Sequence, residues 1–242
     1  MHDLFDTHTP EVLDRRDGPF GEVVLRRHGE LLQIVANGCF LMDTSDGRSE
    51  RRLVRAALDA LEPPKTARPA ERGAATGSHG GPSVLIGGLG VGFSLAEAAA
   101  EPRWGRITVV EREPAIVEWH RSGPLGPLSA GARSDPRTEL VGDDLLAHLR
   151  RPGRQYDALC LDIDNGPDWT VTEDNDSLYS PAGLALCAGR LAPGGVFAVW
   201  SARPSAAFET ALEAAGFSSV RTEEIPVARG VPDVVHLAVR PT

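Results

Sequence analysis

The chain has 242 residues, 41% of them hydrophobic, and a net charge of −9. That length accommodates one α/β core plus a small appendage, and without an apolar run approaching about 18 residues no membrane partner or span is expected. The excess of carboxylates excludes a phosphate-backbone partner, because nonspecific nucleic-acid binding depends on clustered Lys and Arg.

Met1-His2-Asp3-Leu4-Phe5-Asp6 lacks a basic segment followed by an apolar stretch, so no signal peptide and a cytoplasmic location are expected. Residues 22–27 and 31–36 are β-prone runs separated by His28-Gly29-Glu30, a hairpin pattern. A third run, 39–42, follows the two-residue turn signal Asn37-Gly38. Asp46 then caps a helix whose Leu53, Val54, Ala57, Leu58 and Leu61 share one face, leaving Arg51, Arg52, Arg55 and Asp59 to solvent. Residues 1–61 read as a small N-terminal cap. Residues 62–82 are Pro-, Ala- and Gly-rich and read as a flexible linker. Lys65, the chain's only lysine, lies there, which argues against Schiff-base or P-loop chemistry.

From 83 to 242 strands and helices alternate. Strands are expected at 83–87, 106–111, 138–141, 156–161 and 196–200, with helices at 93–100, 114–121, 144–150 and 181–191 between them. A helix at 206–215 and strands at 219–225 and 234–239 complete the pattern. Alternation of this kind predicts an α/β fold with a mostly parallel sheet covered by helices on both faces, closed by an antiparallel pair. Cys39, Cys160 and Cys187 are odd in number, far apart and in apolar surroundings, so they read as buried thiols rather than disulfides or metal ligands. No C-x-x-C or H-x-x-x-H pair occurs, and no metal is expected.

The most informative stretch is Val84-Leu85-Ile86-Gly87-Gly88-Leu89-Gly90-Val91-Gly92-Phe93, followed nineteen residues after Gly92 by Glu111. A buried strand, a turn too tight for side chains and a helix N-terminus make a place where a ligand touches backbone. A carboxylate about 20 residues later, at the tip of the next strand, is positioned for both ribose hydroxyls. Asp143 and Asp144 end the third strand and Asp162 the fourth, and strand ends converge on one crevice in an open α/β sheet. Gly87, Gly88, Gly90, Gly92, Glu111, Arg112, Asp143, Asp144 and Asp162 are the expected nucleotide-binding residues. Glu111 takes the ribose, Asp143 an exocyclic adenine amine, and the Asp144 amide a ring nitrogen. Asp143 also reads as the cap of the helix that follows.

These ordered elements resemble the class I S-adenosylmethionine-dependent transferases over 83–242, and the whole chain resembles their spermidine-synthase-like branch. The N-terminal strands carry the resemblance further, as do residues 157–167, which are similar to the family's Asp-rich catalytic loop, Leu178-Tyr179-Ser180, and Leu191-Ala192-Pro193-Gly194-Gly195-Val196. The resemblance implies a seven-stranded Rossmann-like fold. It also implies S-adenosylmethionine, or its decarboxylated form, as the bound donor, and a small-molecule acceptor such as an amine. Spermidine synthases carry Gly-Gly-Gly-Asp-Gly-Gly at the first turn, where Val91 stands in place of the Asp; Leu41 replaces a Gln, and a Tyr-His pair is absent.

On those departures the expectation is methyl transfer to a small molecule by in-line displacement at the sulfonium. The alternative is aminopropyl transfer from decarboxylated S-adenosylmethionine, favoured by the acidic loop 162–179. A non-catalytic nucleotide-binding or scaffold protein is the third reading, and a dinucleotide-dependent oxidoreductase a distant fourth. Asp162 is the expected general base, Asp164 its companion, and Asn165 and Tyr179 orienting groups. Trp169 walls the acceptor pocket or meets a cation through its ring. His120 and His148 read as surface or partly packed residues, away from strand ends. The N-terminal strands expose edges able to pair in a homodimer.

Overall fold

The computed structural model describes residues 9–61, 80–171, 173–227 and 230–242. Most of the expected linker, 62–79, lies outside the described residues.

Four strands, β1 (Glu11–Gly18), β2 (Gly21–His28), β3 (Leu31–Ala36) and β4 (Cys39–Asp43), form an antiparallel meander in chain order. Asn37 (φ 49°) and Gly38 (φ 78°) make the tight β3–β4 turn in the left-handed region that an Asn-Gly pair favours. β1 was not expected: Glu11, Asp14, Arg15, Arg16 and Asp17 make it mostly charged. It pairs along one edge of β2 with ion pairs Arg15–Glu22 and Arg27–Glu11 across the two strands. Charge suits an edge strand and hides its periodicity.

Helix α1 (Arg48–Ala60) buries Leu53, Val54, Ala57 and Leu58, as its spacing predicts. Its N-cap is Gly47 rather than Asp46, whose Oδ1 accepts from the Arg48 amide at 3.1 Å. The second sheet contains β5 (Ser83–Gly87), β6 (Arg106–Glu111), β7 (Thr138–Gly142), β8 (Tyr156–Leu161), β9 (Leu191–Ser201), β10 (Ser218–Ile225) and β11 (Asp233–Val239). Its order is β10-β11-β9-β8-β5-β6-β7, with β11 antiparallel to both neighbours and the other pairings parallel. This is the expected mostly parallel, seven-stranded arrangement.

Helices α2 (Phe93–Ala100), α3 (Pro114–Arg121), α4 (Gly126–Arg133), α5 (Leu145–Arg150), α6 (Asp176–Tyr179), α7 (Pro181–Arg190) and α8 (Ala206–Ala214) connect the strands. α4 escaped the sequence reading because Gly-Pro-Leu-Ser-Ala-Gly-Ala-Arg has poor intrinsic propensity and a single buried side chain, Ser129.

Alternation along β5 explains its unbroken apolar run. Val84 and Ile86 join a core with Leu25, Ile34, Leu53 and Trp119, whereas Leu85 joins another with Leu146, Leu184 and Phe208. Both faces are covered, and each fully buried aliphatic side chain contributes about 1.5–3 kcal/mol. The first core therefore fastens the meander and α1 to the sheet, which brings β4 and the first turn of α1 to the carboxyl ends of β5 and β8. Among the described residues no helix is long and apolar enough to cross a membrane.

Candidate active site

The chain leaves β5 for β6 on one side and returns to β8 on the other, so a crevice opens at the carboxyl ends of β5 and β8. A cleft of about 710 Å³ occupies it. The Asp162 amide donates to the Gly87 carbonyl at 2.9 Å, holding the two strand ends together. Gly88 (φ 92°) passes so near β8 that a Cβ would lie 2.3 Å from the Asp162 carbonyl oxygen. Gly90 (φ 50°) faces the cleft, where a Cβ would lie 2.3 Å from Met42 Sδ. Gly87 and Gly92 do not line the cleft: Gly87 is wedged against Leu145 and Leu161, and Gly92 against the ring of His120.

Glu111 is buried at the tip of β6 and uses both oxygens on backbone amides, Leu89 N at 2.9 Å and Glu113 N at 2.8 Å. Burial raises its pKa while those amides oppose the rise. Each oxygen keeps a lone pair for a further donor. Arg112 lines the cleft between two neighbours: its guanidinium sits 4.2 Å from the Phe20 ring centroid and donates to Asn175 Oδ1 at 3.0 Å. Asn175 in turn donates to Asp164 Oδ2 at 2.7 Å, as does the Val171 amide at 3.1 Å. Asp164 has φ 51°, a left-handed conformation that Asp tolerates better than most residues.

Asp143 lines the cleft with its carboxylate on Arg151. Asp144, not Asp143, caps α5, accepting from the Ala147 amide at 2.8 Å. Asn165 is buried in the cleft wall, with its amide bonded to the Trp169 carbonyl. Tyr179 lies apart from the large cleft, packed edge-on against Phe208 with ring centroids 5.6 Å apart. His120 also departs from expectation: it is fully buried, not a surface or partly packed residue.

A second group of carboxylates, Glu50, Asp162 and Asp233, lines the same cleft. Asp162 accepts from Ser94 Oγ at 2.9 Å, and burial pushes its pKa up to about 6. Glu50, in the first turn of α1, is pushed up to about 7 by burial and by the charge of Asp162. Asp233, at the start of β11, shares the Ser49 hydroxyl with Glu50, at 2.8 and 3.0 Å respectively. Burial raises its pKa too. The sequence reading missed Glu50 and Asp233 as site residues: the only signal for Glu50 was an acidic residue in a first helical turn, and nothing local marks Asp233.

The inference drawn from Val91 does not survive the geometry. Val91 is fully buried in the core and does not line the cleft, so its side chain says nothing about an ammonium-binding group there. At the cleft-facing position of the turn, Gly90, the space is taken by Met42.

No family model matches the chain. Among curated proteins, the polyamine aminopropyltransferase of Mycobacterium tuberculosis is 30% identical over 212 residues, 84% of this chain and 36% of its own length. Polyamine aminopropyltransferase 2 of Pseudomonas aeruginosa is 36% identical over 120 residues, 48% of this chain and 32% of its own. The chain thus spans about a third of the length of these curated relatives. Among solved structures, a spermidine synthase in complex with the transition-state analogue AdoDATO superposes with a TM-score of 0.74 at 17% identity, covering 95% of this chain and 74% of that one. Spermidine synthase from Thermotoga maritima gives 0.70 at 17% identity, covering 95% and 72%. These likenesses correct the expectation of methyl transfer, because relatives and neighbours alike carry the names of the alternative.

Proposed function

The chain has the fold of the spermidine-synthase-like branch of the class I S-adenosylmethionine-dependent transferases, with sequence relatives in the same branch; from that premise we propose that it transfers an aminopropyl group from decarboxylated S-adenosylmethionine to a small-molecule amine. The charge of the cleft carries the reading. Among the described residues, eleven carboxylate side chains line it against two guanidinium groups, and no Lys or His does. Arg48 is paired with Asp46, and Arg112 is held by Phe20 and Asn175. A donor that kept its α-carboxylate would enter this field unfavourably, whereas a donor and acceptor that are both cationic are drawn in.

The residues present fit such a donor. Gly88 and Gly90 offer close backbone approach and Glu111 lone pairs for ribose hydroxyls, while Arg112, Asp143 and Asp144 line the cleft and would meet the adenine. Bound there, the donor supplies a carbon activated by the adjacent sulfonium. Asp162 takes one proton from the acceptor's ammonium, which frees the nitrogen lone pair, and a base poised near working pH suits that step. Glu50, Asp164 and Asp233 hold the amine by charge, and Trp169 and Trp200 supply aromatic walls.

The test is incubation with decarboxylated S-adenosylmethionine and a series of diamines, followed by mass spectrometry. Aminopropylated amine with 5′-methylthioadenosine is the expected pair of products. Donor binding without transfer to any diamine would sink the reading.

A further inference from the structure

The buried His120 has no part in the chemistry above, yet its hydrogen bonds end on the nucleotide turn. Its Nε2 lies 2.8 Å from the Gly90 carbonyl oxygen and its Nδ1 lies 2.7 Å from Ser129 Oγ. A carbonyl only accepts, so Nε2 carries the ring hydrogen and Nδ1 accepts from the Ser129 hydroxyl. Arg133 Nε donates to Ser129 Oγ at 3.0 Å, completing a relay in which every donor meets an acceptor while the ring is neutral. Burial lowers the pKa of His120, helped by the Arg133 charge and opposed by the backbone of Gly90 and Leu125, and the net direction favours the neutral ring.

The carbonyl that His120 holds belongs to the Gly90–Val91 peptide. The amide hydrogen of that same peptide points the other way, as in any trans peptide, and its partner is Met42 Sδ, 3.3 Å from Val91 N. One peptide is therefore clamped at both ends, by a ring fixed in the core and by a thioether at the cleft wall. The two clamps are unequal. A thioether is a weak acceptor on a flexible side chain and gives way to a better one, whereas the imidazole is locked by α3, α4 and Arg133.

We propose that His120 is a positioning residue for the nucleotide donor: it fixes the Gly90–Val91 peptide so that the Val91 amide faces the cleft, where Met42 caps it until the donor replaces the sulfur. The inference rests on the donor site proposed above.

The experiment compares wild type with His120→Leu, His120→Gln and Met42→Leu. It measures binding of 5′-methylthioadenosine and decarboxylated S-adenosylmethionine by calorimetry, and steady-state KM values for donor and amine. His120→Leu is expected to weaken both nucleosides on the order of 10-fold, the usual scale for losing one buried hydrogen bond, with the amine KM unchanged. His120→Gln retains a side-chain amide donor for the Gly90 carbonyl and recovers most of the affinity. Met42→Leu keeps the bulk but removes the competing acceptor, so donor affinity holds or improves.

Folded His120→Leu with wild-type affinity would overturn the proposal, as would Met42→Leu weakening the donor as much as His120→Leu does. Should His120→Leu fail to fold, the wild-type ring decides: nitrogen-15 NMR is expected to show an Nε2-protonated imidazole that does not titrate between about pH 5 and 8. A ring protonated on Nδ1 alone would overturn it. Wild-type protein that binds neither nucleoside would instead remove the donor site itself.

Discussion

The two halves of the cleft are built by opposite means. The proposed nucleotide half is made of backbone: glycines too close to their neighbours for a side chain, and a Glu111 whose oxygens each accept from one amide, of Leu89 and of Glu113. Its glycine turn and its carboxylate lie within 25 residues of one another, from Gly87 to Glu111. The proposed acceptor half is made of side chains brought from afar, Glu50 on α1, Asp162 after β8 and Asp233 on β11. Arg48, the α1 arginine that lines the cleft, is paired with Asp46, and the others on that helix are engaged elsewhere, Arg52 with Glu223, Arg55 with Glu97, and Arg51 over the ring of Phe93. The first half is finished by its own hydrogen bonds, whereas the second is left with partly buried carboxylates that the proposed cationic substrate would complete.

Asp162 stands where the halves meet, so its replacement gives the largest effect. Asp162→Asn keeps the size of the side chain and a bond to Ser94 but cannot take a proton. Turnover should fall on the order of 10²–10⁴-fold while the nucleoside still binds within a few-fold of wild type. Joint loss of binding and turnover would place Asp162 in the nucleotide half and break the division. Next in size is Glu111→Ala, which strands two backbone amides and removes the expected ribose acceptor. Nucleoside affinity should fall on the order of 10–100-fold by calorimetry, with the amine KM little changed. An equal loss on both substrates would show that the halves are one coupled unit.

The same division governs how much was legible in the sequence. The sheet could be read because β5, β6 and β8 are continuous apolar runs separated by helices, and the glycine turn because its constraints are local. The place of Glu111 at the tip of β6, lining the cleft, followed from spacing alone. Asp233 could not be read, since its meeting with Glu50 through Ser49 depends on β11 inserting antiparallel beside β9. Val91 misled for a related reason: a motif position was taken for a direction, and in the folded turn that side chain enters the core while Gly90 faces the cleft. His120 was read as peripheral because it is far from any strand end in sequence, although α3 carries its ring under the turn.

Glu50→Gln tests the charge side through stability. The folded state raises this carboxyl to about 7, above the unfolded value near 4.3, so the folded protein binds the proton more tightly. Stability of the empty protein therefore falls as pH rises from about 4 towards 7, and the variant lacks that loss. Glu50→Gln should melt a few degrees above wild type at about pH 8 and with it at about pH 4, an effect on the order of 1 kcal/mol or more. It should also raise the amine KM. An equal melting difference at both pH values would mean that Glu50 is not an uncompensated charge, and the contrast between the halves would lose its physical basis.

The smallest expected effect comes from Trp169, half-exposed at the edge of the cleft with 51% of its surface open. Its backbone is already fixed, with the carbonyl accepting from Asn165 N and the amide donating to the Gly166 carbonyl, so truncating the ring leaves the loop in place. Trp169→Ala should raise the amine KM by a factor of about 2–5, the scale of an exposed cation–π contact of about 0.5–1 kcal/mol. Trp169→Phe should recover part of the loss, because a smaller ring still presents a negative face. Donor KM is the control: the ring is assigned to the proposed acceptor end, so a shift there as large as that for the amine would place the aromatic wall across both halves instead of one.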